Sequence, residues 1–94
     1  MVIVIVEHFL NQEGKLYFYS WLKEVREELK YWSGFKRIEL LKKSNEVGSF
    51  LYMEFNSNQE LSLWGNSHKH EQLLTKLRPF QLKKQYSELY EFHA

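Results

Sequence analysis

The first stretch of the chain, Val2 to Phe9, is a nearly unbroken run of β-branched aliphatic side chains, the composition that suits the pleated surface of a strand. Val2, Val4 and Val6 share one face of it and Ile3 and Ile5 the other, so both faces are apolar, with Glu7 following on the isoleucine face. After the polar NQEG the period changes. Phe18, Leu22, Val25, Leu29 and Trp32 recur at alternating steps of four and three, which predicts an amphipathic helix over Lys15 to Trp32, ended by Ser33-Gly34. Phe35 to Lys43 and Val47 to Phe55 read as two further strands joined at SNE, a tight antiparallel turn. The second of them sets Phe50 and Tyr52 on one face and Leu51, Met53 and Phe55 on the other.

Ser57 stands three residues before Glu60, a capping box, and a short helix carrying Leu61 and Trp64 follows it. Gly65-Asn66 interrupts this helix, and Ser67 caps a second one that runs to Arg78, where Pro79 cannot continue it. Gln85 to His93, with Tyr86, Tyr90 and Phe92, closes the chain as a strand. The order strand, helix, strand, strand, broken helix, strand is the ferredoxin-like α+β plan, βαββαβ, with a four-stranded antiparallel sheet in a single domain over residues 1–94.

This plan has a consequence for assembly. Its helices cover one sheet face, yet the first and third strands are apolar on both, which leaves a hydrophobic patch of several hundred Å² or more in water. A second copy packed sheet to sheet removes it, so a homodimer through the sheet face is expected. The alternative is that the long strands curl enough to hide the patch, for which a chain of 94 residues has little material.

Charge and composition narrow the partners. Thirteen basic residues against twelve acidic ones give a net charge of +1, too balanced to draw a polyanion, so nucleic acid is not an expected partner. An RNA-recognition domain would also need a basic-Gly-aromatic-Gly-aromatic pattern on its third strand, and EVGSFLYMEF presents its glycine and aromatics in the wrong order. With no cysteine there is no disulfide framework, thiolate nucleophile or thiolate metal site. The opening MVIVIV stops at Glu7 and His8 without a basic start or cleavage signal, and is too short to span a bilayer. A soluble, cytoplasmic protein without a membrane partner is the expectation.

Candidate chemistry concentrates in SLWGNSHKH. On a helix starting at Ser67, His70 shares the face of Leu73, Leu74 and Leu77 and points inward, whereas His68, about 200° away around the axis, points out. The two cannot chelate one metal from a shared face, so no metal site is expected there. His70 lies in the first turn, where unsatisfied amide hydrogens disfavour a cation, and a neutral imidazole follows. It either orients a ligand or relays a proton, or it packs beneath Trp64 with one nitrogen bonded to backbone. Trp64 is likewise either a pocket wall or core. Glu7 becomes a candidate general base if the Ile3/Ile5 face meets the helices, since desolvation raises a carboxyl pKa; if that face opens to water it has no such role.

The span EFNSNQELSLWGNSHKHEQLLTKLRP resembles the signature of the antibiotic biosynthesis monooxygenase superfamily, in which an aromatic strand end, a capped short helix and a Ser-x-His start lead into a helix ending near Arg-Pro. The opening strand, Gly14, and WSGFKRIELLKK are similar to the family pattern too, so the resemblance spans nearly the whole chain. It implies a dimeric α+β barrel. It also implies one of the family's activities, which include cofactor-independent oxygenation of aromatic phenols to quinones, quinol oxidation and heme degradation. The heme-degrading branch has an asparagine on the first strand and a histidine in the later helix; here Glu7 and Leu74 stand there, and no cofactor is expected. Trp64 matches the position of a pocket tryptophan in several of the oxygenases.

Together these point to a small homodimeric oxygenase acting on a phenol or quinol between sheet and helices, with Tyr52, Phe55 and Trp64 lining the pocket and Glu7 or His70 taking the phenolic proton. The alternative is a non-catalytic ligand-binding or stress-related dimer using the same pocket.

Overall fold

The computed structural model describes residues 1–42 and 49–93. Strand β1 (Val2–Leu10) leads into helix α1 (Gln12–Leu29), followed by β2 (Phe35–Leu41), β3 (Phe50–Phe55), α2 (Asn58–Gly65), α3 (His68–Leu77) and β4 (Gln81–Glu91). A single 3-10 turn, Arg78–Phe80, begins at the residue before Pro79 and ends the second helical segment. The four strands form one antiparallel sheet in the order β2-β3-β1-β4, the ferredoxin-like α+β fold expected from the sequence. The SNE turn, with Lys43 and Val47, lies outside the described residues.

Helix α1 begins earlier than its apolar stripe. The Asn11 side chain accepts from the Gly14 amide at 2.8 Å, so the polar NQEG forms a capped first turn. Gly14 is needed there because a Cβ would stand 2.6 Å from Cβ of Phe80, at the junction of α1 with the turn before β4. The helix ends at Leu29, short of Trp32. Trp32 still packs against the core, and its indole N–H donates to the Glu28 carboxylate at 2.9 Å. β4 begins four residues before its aromatic run, since Gln81 and Lys83 pair with Leu10 and Phe9 through backbone bonds that ask nothing of side-chain polarity.

The valine face of β1 meets the helices. Val2, Val4, His8 and Leu10 are buried against Phe18, Trp21, Leu22, Val25 and Leu29 of α1, with Leu51, Met53 and Phe55 from β3 and Leu73, Leu74 and Leu77 from α3. Trp64 alone carries α2 fully into this core among the described residues. The isoleucine face of β1 is the open one. Tyr52 pairs with Ile5 and Tyr90 with Ile3, so the open face is a mixed aliphatic and aromatic surface.

Gly34 turns the chain from α1 into β2 with φ +82, a left-handed conformation that a side chain resists, and a Cβ there would also meet the Glu60 carboxylate. That carboxylate accepts from Ser33 at 2.8 Å and from Ser57 at 3.0 Å, while Ser57 Oγ accepts from the Glu60 amide. Gly34→Ala is therefore expected to destabilise the protein by about 1–2 kcal/mol, read as a lower urea midpoint at unchanged slope. An unshifted midpoint would mean that the turn relaxes freely.

Among the described residues no helix is long and apolar enough to cross a membrane.

Candidate functional site

A cavity of about 80 Å³ lies between sheet and helices. Val6 and His8 of β1 and Leu51 and Met53 of β3 form its floor, Trp21, Val25, Trp64, His70, Leu73 and Leu74 its roof, and Gln85 and Ser87 of β4 its side. It shares Val6, Met53, Trp64, His70 and Ser87 with a wider groove of about 370 Å³ that opens past α2 and Leu89. The two adjoin along these residues. A third hollow, between α1 and α3, is an open surface groove walled by Lys23, Glu24, Glu27, Glu28, Lys69 and Lys76. There Lys76 pairs with Glu24 at 2.6 Å, and the groove reads as a solvated charged face.

His70 reaches the cavity by the route its spacing predicts. Ser67 Oγ accepts from the His70 amide at 3.1 Å, starting α3 so that His70 shares the inward stripe of Leu73, Leu74 and Leu77. Its ring stands edge-on to Trp64, with centroids 5.2 Å apart, and bonds to the Gly65 backbone. His70 thus packs on Trp64 with one nitrogen tied to backbone, and it also lines the cavity. Burial lowers its pKa, while the Gly65 bond and Glu71 act in the opposite direction. His68 points outward, bonded to Gln72 at 3.1 Å.

Of the other residues expected at the site, Trp64 is there and the rest are elsewhere. Glu7 lies on the open sheet face, opposite Phe50 and Tyr86, because the valine face was the one taken by the helices. It does not line the cavity. Tyr52 shares that open face, where its hydroxyl donates to Glu54 and Arg37 stacks over its ring at 5.0 Å and pairs with Glu54 at 3.2 Å. Phe55 is on the correct face but fully buried beside Phe35, at the end of the core opposite Val2, away from the cavity.

The residue missed by sequence reasoning is His8. It is 6% exposed, with its ring 5.3 Å from Phe18 and 5.4 Å from Trp21. Burial, reinforced by nearby His70, lowers its pKa to about 4, so it is a neutral imidazole at neutral pH. Beside it the β1–β4 register slips, with Lys84 and Gln85 together opposing one β1 residue, a bulge at the cavity wall. The sequence held only a partial signal: of two similarly apolar faces of β1, the one ending in His8 and Leu10 carries no carboxylate, which favours its burial without deciding it.

Two polar atoms of residues that line the cavity, His8 Nδ1 and Trp64 Nε1, are fully buried without a hydrogen-bond partner among the described residues. By contrast Trp21 Nε1 donates to the Leu73 carbonyl at 2.7 Å. No group of three or more His, Asp or Glu side chains among the described residues is placed to hold a metal ion. The site therefore presents indole rings, two neutral imidazole side chains and apolar walls.

No family model matches the chain, and no curated protein matches it. Solved structures do, over nearly its whole length. One described as an antibiotic biosynthesis monooxygenase superposes with a TM-score of 0.81 at 16% identity, covering 100% of both chains. SnoaB, a cofactor-independent oxygenase from Streptomyces nogalater, gives 0.76 at 15% identity, covering 99% of this chain and 94% of its own. A dimeric protein of unknown function and ferredoxin-like fold from Bacteroides fragilis gives 0.75 at 21% identity, covering 97% and 95%. The chain thus has the fold of the antibiotic biosynthesis monooxygenases, as the sequence resemblance implied.

Proposed function

We propose that this protein is a homodimeric oxygenase of the antibiotic biosynthesis monooxygenase type, acting on a small phenol or quinol. The observation that carries the reading is the ring-lined cavity between sheet and helices, into which Trp64 and a neutral His70 both face. Transfer of the phenolic proton to an imidazole leaves an electron-rich anion that reduces dioxygen directly. A phenol then yields a quinone and water, and a quinol yields a quinone and hydrogen peroxide. The protein's part is a matched base and a water-poor pocket. A proton acceptor within the cavity replaces Glu7 in this reading, since a carboxylate on the far sheet face cannot reach the ligand.

The dimer is supported by the open sheet face, where Ile3, Ile5, Tyr52 and Tyr90 lie together, and by the dimeric description of the Bacteroides fragilis structure. Oxygen uptake with a panel of phenols and quinols, together with sedimentation velocity, tests both parts. Uptake is expected with the wild type and with Glu7→Gln, and is expected to fall about a hundredfold or more in His70→Ala, the range over which general bases act. A sedimentation coefficient matching two chains is expected throughout. Ligand binding with no oxygen uptake would favour the non-catalytic binding dimer.

A further inference from the structure

We propose that Gly65 sets the width of ligand that the outer groove admits, the position being bare of a side chain so that a planar ring can lie along α2 beside His70. Gly14 and Gly34 are each required by the fold, the first because a Cβ would stand against Phe80 and the second by its positive φ and the Glu60 carboxylate. Gly65 is required by neither. Among the described residues a Cβ there would meet no heavy atom within 4 Å, and its φ lies outside the left-handed region. It is the last residue of α2, a helical position where glycine is less favourable than alanine, and the residue that caps the helix is Asn66.

The surroundings of Gly65 supply a reason for it. It lines the outer groove together with Leu61, Ser62 and Asn66. Position 65 lies four residues after Leu61 and three after Ser62, so the three share one flank of α2, and that flank is the groove wall. The opposite flank carries Glu60, which is tied to Ser33 and Ser57. A side chain at 65 would therefore project from the groove wall. The His70 ring bonds to the Gly65 backbone, which sets this wall directly beside the imidazole that lines the cavity. An apolar cavity of about 150 Å³ accommodates benzene, and the groove, at about 370 Å³, has room for two fused rings. A branched side chain at 65 would take up part of that room.

The inference rests on the reading that a phenol is seated beside His70, and it adds which position decides the width of that phenol. It is tested by calorimetric titration of the wild type, Gly65→Ala and Gly65→Leu with phenol and with α-naphthol, alongside urea unfolding and oxygen uptake. Gly65→Ala is expected to raise the urea midpoint, because a helical position gains a methyl group that strikes nothing. Gly65→Leu is expected to weaken α-naphthol roughly tenfold or more and phenol less than about threefold, a loss that grows with ring width. The chain has no cysteine, so Gly65→Cys places a single thiol on the groove wall. Its alkylation by N-phenylmaleimide is expected to slow severalfold at saturating α-naphthol.

Equal affinity of the wild type and Gly65→Leu for α-naphthol, or a thiol at 65 alkylated at the same rate with and without it, overturns the proposal and leaves the phenol reading standing. A lowered urea midpoint in Gly65→Ala overturns it as well, since the glycine would then serve the fold. If neither phenol nor α-naphthol binds the wild type, the phenol reading fails and takes this inference with it. Binding that depends on ring width through position 65, without oxygen uptake, would sustain the inference and remove the oxygenase reading.

Discussion

Trp64→Ala is expected to destabilise the protein by about 3–5 kcal/mol, a large share of the roughly 5–15 kcal/mol that holds a domain of this size together. The indole is 2% exposed and meets Trp32 edge-on at 5.2 Å on one side and His70 at 5.2 Å on another. It is also the side chain that fastens α2 to the core, so its removal opens a cavity and releases a helix together. Trp64→Phe keeps most of the apolar contact and is expected to lose only about 1–2 kcal/mol, part of it offset because the unpaired indole N–H goes too. Urea unfolding followed by circular dichroism measures both. A loss under 1 kcal/mol for Trp64→Ala would show that α2 is held by its caps and not by this ring.

The second large effect is acid destabilisation centred on His8. Its pKa falls from an ordinary value of 6.5 to about 4 on folding, so between those values the unfolded chain binds a proton that the folded one refuses. Stability is therefore full above about pH 6.5 and declines as the pH drops toward 4. The whole loss is about 3 kcal/mol, of which about 2 kcal/mol falls between pH 7 and 5, where carboxylates contribute little. His70, whose pKa is also lowered, adds a slope of the same sign.

His8→Phe places an apolar ring against Phe18 and Trp21 and removes the titration. The variant is expected to lose markedly less stability than the wild type between pH 7 and 5 by urea unfolding. Identical losses in the two proteins would mean that His8 accepts its proton in the folded state at its ordinary pKa.

Local features were legible wherever neighbouring residues in the sequence decided them. The four–three stripe from Phe18 to Leu29, the Ser57 and Ser67 caps, and the stop at Pro79 all depend on spacings of a few residues. The inward turn of His70 followed from the same arithmetic. Asn11 shows where this reasoning fell short, since a cap placed before a glycine looks like loop until the glycine is seen to make room for Phe80.

Which face of β1 meets the helices was different in kind. Val2, Val4 and Val6 are no more apolar than Ile3 and Ile5, so periodicity alone could not choose between them, and the choice decided the site. With the isoleucine face inward Glu7 would stand at the cavity; with the valine face inward His8 is there, and Glu7 and Tyr52 lie on the opposite surface. A strand alternates with period two, so one such choice exchanges every side chain on it.

By itself the sequence determined the element order, the helix boundaries to within a few residues, the ferredoxin-like plan and the inward direction of His70, because each of these is set by contacts between residues close along the chain. The tertiary structure alone decided that His8 joins His70 and Trp64 around one cavity, and that Phe55 and Tyr52 do not. These three come from β1, α2 and α3, and they meet only when the helices settle on one of two nearly equivalent apolar faces, an outcome set by packing across the whole core.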